Sequence, residues 1–151
     1  MVDGSNRQFE AANGARRRSS LKGVRILVVD DNRLSRCMTS HVLESHGCVT
    51  RGVMNGAEAL LVLQYQPYEV VIMDLEMPRL DGPGATRAIR NPDSRVLNPR
   101  VPIIGLTNVP EKEGKERCLA AGMDDYLTKP VDPCVIYNAI MKQILKREVG
   151  G

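Results

Sequence analysis

Short aliphatic runs alternate along this chain with longer segments of helical spacing, and nearly every run stops at a polar residue. Residues 24–29 form the first run, ending in Val28-Val29 before Asp30-Asp31-Asn32, and read as a strand. Arg33–Ser45 follows as a helix, with Asn32 as its N-cap and Gly47 just past its end. Val49–Val53 is a second short strand. Residues 55–64 then place Ala57, Leu60, Leu61 and Leu63 at helical spacing behind a capping Asn55. Residues 70–73, all apolar, form a third strand that ends at Asp74, and Gly82–Arg90 a short helix. A Pro- and Asn-rich connection, residues 91–102, is longer than usual before the fourth strand, 103–106, which ends at Thr107. Glu111–Ala121 is a helix closed by Gly122. A brief fifth strand, 126–128, ends at Lys129-Pro130, and Asp132-Pro133 then caps and starts the last helix.

Five apolar strands alternating with five helices predict one α/β domain: a doubly wound, five-stranded parallel sheet with right-handed crossovers and helices on both faces. Strands buried on both sides read as continuous aliphatic runs, as these do. The 151 residues suffice for one such domain and its core, but not for two. The expected division is a leader over 1–21, the domain over 22–147 and a short tail over 148–151.

The net charge of +3 changes this picture little, because it is local. Residues 1–22 carry five Lys/Arg against two Asp/Glu, and the remainder carries sixteen of each. A neutral body argues against general nucleic-acid binding, which needs a basic patch or stripe. Arg16-Arg17-Arg18 and Ser19-Ser20 belong to a Gly/Asn/Ser/Ala-rich leader that reads as a mobile tail. Cys37, Cys48, Cys118 and Cys134 show no C-x-x-C spacing, which fits reduced thiols and a cytoplasmic setting. No run approaches the length of a membrane span.

Strand ends carry the chemistry. In an open parallel sheet, ligands gather beyond the carboxyl ends of the strands. That edge would bring together Asp30, Asp31, Asp74, Thr107 and Lys129. Clustered carboxylates repel one another, and a hard divalent cation with oxygen ligands relieves the repulsion. Magnesium suits the set better than zinc, because His41 and His46 lie in or just after the first helix and no Cys joins the group. A carboxylate facing such a cation, an ammonium and a hydroxyl is equipped to attack phosphorus.

Four segments, each following a strand and in consistent order, carry a resemblance to the receiver domains of two-component response regulators over roughly 22–145. They are Val28-Val29-Asp30-Asp31-Asn32, Met73-Asp74-Leu75-Glu76-Met77-Pro78-Arg79-Leu80-Asp81-Gly82, Pro102-Ile103-Ile104-Gly105-Leu106-Thr107 and Gly122-Met123-Asp124-Asp125-Tyr126-Leu127-Thr128-Lys129-Pro130. The resemblance, which extends to receivers of hybrid histidine kinases, implies a flavodoxin-like fold. It also implies a phosphorelay module rather than an enzyme, with only slow self-phosphorylation and self-dephosphorylation. Asp74 matches the acceptor of a phosphoryl group from a histidine kinase or histidine phosphotransfer domain. Asp31 and Asp74 match direct magnesium ligands, Asp30 a ligand through water, and the Glu76 backbone carbonyl a further oxygen. Lys129 matches the lysine paired with the acceptor, Thr107 the switch hydroxyl and Tyr126 the switch aromatic. Asn108 stands where the family usually has a small residue, and Glu76 and Val109 stand where it tunes phosphoryl lifetime.

Other readings of the same residues stand beside this one. Asp30-Asp31 alone is also a helix-cap pattern. Glu76, two residues after Asp74, fits the second acid of an aspartate-nucleophile phosphohydrolase, and Asn108 in the cleft fits an interaction module that is never phosphorylated. In the last helix Ile136, Ile140 and Ile144 form a core stripe. Tyr137, Met141 and Leu145 form either its margin or a partner or homodimer surface.

Overall fold

The computed structural model describes residues 20–108 and 111–150. The strands are β1 (Arg25–Val29), β2 (Val49–Val53), β3 (Val70–Asp74), β4 (Ile103–Thr107) and β5 (Asp125–Thr128). Between and after them lie α1 (Arg33–Ser45), α2 (Gly56–Tyr65), α3 (Gly82–Arg90), α4 (Glu111–Ala121) and α5 (Pro133–Gly150). All pairings are parallel in the order β2-β1-β3-β4-β5, so the sheet is doubly wound as expected.

Strand alternation divides the interior into two layers. Leu27, Val29, Val71 and Met73 point to one face, where Ala59 and Leu63 of α2, Ala85 and Ile89 of α3 and Cys118 of α4 cover them. Ile26, Val28, Val70 and Ile72 point to the other, covered by Leu43 of α1 and by Ile136, Ile140 and Ile144 of α5. Each fully buried Val, Leu or Ile contributes about 1.5–3 kcal/mol relative to exposure. Both faces of β1 and β3 are thereby sealed, leaving the carboxyl edge as the place where polar groups meet.

Capping fixes where the chain leaves that edge. The side chains of Asn32, Asn55 and Asp81 accept from the N–H groups of Ser35, Glu58 and Gly84, and Asp132 accepts from Cys134 and Val135. Gly47 follows α1 with φ +89°, a conformation that favours glycine.

Several expectations shift. Leu21, assigned to the leader, is fully buried against β1 and α5, so the core starts one residue earlier; residues 1–19, with the three arginines and Ser19, lie outside the described residues. The last helix continues to Gly150, through the boundary expected at 147. On α2 the buried face is Gly56, Ala59 and Leu63, while Ala57 and Leu61 face solvent. Tyr137 and Met141 are half-buried and pack against the buried stripe of α5. Strands β3 and β4 each take in the polar residue at their end, Asp74 and Thr107.

Connection 91–102 is pinned rather than loose. The Arg90 guanidinium donates to the carbonyls of Pro99 and Val101 at 2.7 Å each, to that of Gly122 at 3.0 Å, and to the Asp124 carboxylate at 2.9 Å. Val96 is buried beneath it, and the Leu97 N–H donates to the Leu63 carbonyl.

Candidate functional site

Asp74 closes β3 with its side chain almost wholly buried, because β1 and β4 flank it and the following loop doubles back over it. Gly82 permits that fold-back: a Cβ there would collide with the Asp74 carbonyl oxygen, and the Gly82 N–H donates to the Leu75 carbonyl. Burial pushes the Asp74 carboxyl from 3.8 up to about 6; the Lys129 ammonium opposes the rise and the Asp30 carboxylate adds to it.

Lys129, delivered by the end of β5, lies 3.3 Å from both Asp30 and Asp74. Its N–H donates to the Thr107 carbonyl, which sets its height at the sheet edge, and the Lys129–Pro130 peptide is cis. Asp30 is fully buried and well supplied with donors: the Asn32 N–H at 3.0 Å, the Ser35 hydroxyl at 2.5 Å and the Lys129 ammonium. Arg36 donates to the Asp30 backbone carbonyl at 2.8 Å. Capping of α1 falls to Asn32, which frees the neighbouring Asp31 to face the cleft.

One carboxylate oxygen from each of Asp30, Asp31 and Asp74 lies within 4.8 Å of the other two. Three carboxylates against a single ammonium leave a surplus of negative charge, and every donor atom is oxygen. That set fits a hard divalent cation of the magnesium type. A cleft of about 570 Å³ opens above it, with Asp31, Asp74, Glu76, Asn108 and Lys129 on its polar wall and Leu34, Met38 and Val42 on its apolar one.

Thr107 ends β4 fully buried beside this group, paired in register with Thr128. Tyr126 pairs with Gly105 and is half-buried against the α2–α4 layer. Asn108 is exposed on the cleft wall, and Val109 lies outside the described residues. Glu76 also lines the cleft, and its N–H donates to Asp74 at 3.3 Å. Its carboxylate accepts from Arg117 of α4 at 2.6 Å.

The Response regulator receiver domain family model matches residues 26–141. The chain belongs to the response regulator receiver domain family. It is thus a receiver of two-component signal transduction. It is 37 % identical over 123 residues to the sensor histidine kinase GacS of Pseudomonas protegens, covering 82 % of this chain and 13 % of that protein. Against the first curated relatives, the receiver spans only 7 % to 17 % of their length. Among solved structures, it resembles the receiver domain of the sensor histidine kinase PA1611 from Pseudomonas aeruginosa PAO1, which has a magnesium ion coordinated in its active-site cleft (36 % identity, TM-score 0.69, 85 % of this chain and 99 % of that one). It also resembles a Saccharomyces cerevisiae co-crystal of the histidine phosphotransfer protein Ypd1 with the receiver domain of the response regulator Ssk1 (26 % identity, TM-score 0.76, 85 % and 93 % coverage).

All the residues singled out at the strand ends of the receiver therefore meet at one edge. Sequence reading missed three supports. Ser35, one turn into α1, orients Asp30; its place three residues after the Asn32 cap was a usable signal. Arg36 and Arg117 come from helix faces whose polar positions give no hint of a partner. Among the described residues no helix is long and apolar enough to cross a membrane.

Proposed function

We propose that this receiver accepts a phosphoryl group on Asp74 from a phosphohistidine of a histidine kinase or histidine phosphotransfer domain. The observation that carries the reading is the position of the Lys129 ammonium, 3.3 Å from the buried Asp74 and Asp30 carboxylates. An Asp74 oxygen forms the bond to phosphorus as the phosphorus–nitrogen bond of the donor breaks, and the departing imidazole takes up a proton. Lys129 neutralises charge on the transferring oxygens, and Thr107 offers them one hydrogen bond. Asp31, Asp74 and the Glu76 carbonyl would hold magnesium, with Asp30 acting through water. The ion supplies further positive charge to the phosphoryl oxygens.

The added charge of about −1.5 to −2 draws Thr107 toward the phosphate and biases the packing of Tyr126 and α4, which changes the surface offered to a partner. Leu34 is 70 % exposed and Met38 58 % exposed beside the cleft, which suits a protein partner that must bring its imidazole to Asp74. Asn108 leaves the cleft open, which favours phosphorylation over a purely passive interaction module. The receiver unit begins at Leu21 or Lys22 and includes α5, in a cytoplasmic setting.

Incubation with magnesium and acetyl phosphate, followed by intact mass, tests the reading. A single phosphoryl adduct that disappears in Asp74→Asn and in the presence of EDTA is expected. No adduct under conditions where the protein is folded overturns it.

A further inference from the structure

At the edge of the sheet opposite Asp74, a second cleft of about 610 Å³ lies among Arg90, Arg100, Asp124, Gln143, Lys146 and Arg147. Arg100 lies just before β4 and Asp124 just before β5, so this cleft faces the amino ends of the strands. Gln143 lies on the same face of α5 as Lys146 and Arg147, three and four residues on.

The charge here is not internally balanced. Asp124 is the one carboxylate of the lining, and its Oδ2 already accepts from Arg90 at 2.9 Å and from the Ile103 N–H at 2.9 Å. Arg100, Lys146 and Arg147 form no ion pair with the described residues. Gln143 sharpens the case. It is 3 % exposed, lines the cleft and makes no side-chain hydrogen bond to the described residues. Its amide atoms are not sealed from water, so they stand at the cleft as donor and acceptor for a group that enters it.

We propose that this cleft binds a small ligand carrying a diphosphate or longer polyphosphate. Several negative charges answer three unpaired cations, and two guanidinium forks suit phosphate oxygens bidentately. The volume falls in the range of nucleotide-sized ligand sites, roughly 300–1,000 Å³. Inorganic pyrophosphate and a nucleoside diphosphate share this chemistry. The site is separate from the acceptor edge and does not depend on phosphorylation there.

Amide chemical shifts of the full chain, titrated with pyrophosphate, ADP and inorganic phosphate at about 0.15 M salt without magnesium, test it; diffuse attraction is screened beyond about 8 Å there. Saturating shifts at Arg100, Gln143, Lys146 and Arg147 are expected, with inorganic phosphate the weakest. Tighter ADP identifies a nucleotide ligand, and equal affinities identify the polyphosphate group alone; either outcome supports the site. Arg100→Ala and Lys146→Ala should each weaken binding about tenfold, as loss of a charge-assisted hydrogen bond does, whereas Lys112→Ala on exposed α4 should not. Gln143→Leu should weaken binding severalfold at unchanged melting temperature. If that variant does not fold, the two surface variants decide. Non-saturating shifts, shifts centred on Asp31 and Lys129, or equal weakening by Lys112→Ala would overturn the proposal.

Discussion

The guanidinium of Arg117 and the carboxylate of Glu76 meet at 2.6 Å, joining α4 to the loop that follows Asp74. The pair is partly exposed, so its worth to stability is about 0–1 kcal/mol. Its larger consequence is electrostatic: Arg117 compensates a negative charge beside the cleft through which an anionic donor must approach. Arg117→Ala should slow phosphorylation by acetyl phosphate by roughly two- to fivefold, with Arg117→Ala/Glu76→Ala restoring the rate, since charge pairs near a surface interact by about 1 kcal/mol. Stopped time courses of the intact-mass adduct measure this. Equal rates in all three proteins would show that Glu76 carries no electrostatic influence on the reaction.

The raised pKa of Asp74 has a sign for stability. Folded, the carboxyl titrates at about 6; unfolded, near 3.8. Between those values the folded chain holds more protons, so this group's contribution falls as pH rises from about 4 to about 6 and stays low above. Asp74→Asn should therefore equal the parent protein near pH 4 and exceed it by about 1–3 kcal/mol above pH 6 in EDTA, because each tenfold difference in proton affinity between the folded and unfolded chain corresponds to about 1.4 kcal/mol. Urea unfolding across that range provides the measurement. A constant difference between the two proteins would contradict the burial of a charged Asp74.

Arg90 holds three backbone carbonyls and one carboxylate at once. Burial pushes its pKa down, but Asp124 opposes this, and the group stays charged. Arg90→Ala leaves several of these acceptors without a donor and should cost about 2–4 kcal/mol. Arg90→Lys should recover less than half of that, because an ammonium lacks the fork that reaches Pro99, Val101 and Gly122 together. Chemical denaturation checks both values, and a fully rescued lysine variant would count against the clasp.

Much of this was legible in the sequence for a physical reason. Strands sealed on both faces must be continuous aliphatic runs, and such runs leave their polar ends as the only places for chemistry. Hence Asp30, Asp31, Asp74, Thr107 and Lys129 were readable in register from the residue pattern alone. The caps Asn32, Asn55 and Asp132 were readable because each acts within three residues of itself, and Asp81, which caps α3 in the same way, was missed. Long-range partners were not. Arg90 reaches residues up to 34 positions away and Arg117 reaches 41, and nothing local marks those arginines as different from solvated ones. The buried place of Leu21 was missed because a single leucine has no period.

The four thiols divide by burial. Cys37 and Cys134 are exposed, while Cys48 and Cys118 are buried and burial pushes each to about 11. Since the thiolate is the nucleophile, iodoacetamide at neutral pH should add two groups to the folded protein and four in urea. Peptide mapping should place the first two on Cys37 and Cys134. Early modification of Cys118 would contradict its packing between α4 and the sheet.

The central claim is that Asp74, and neither of its acidic neighbours, carries the phosphoryl group. Reduction of the acetyl phosphate-treated protein with sodium borohydride converts an acyl phosphate to an alcohol and so marks the acceptor permanently. Tandem mass spectrometry should find homoserine at position 74 only in the phosphorylated sample. Homoserine at position 30 or 31, or its absence from 74 in a sample whose intact mass shows an adduct, would contradict the account.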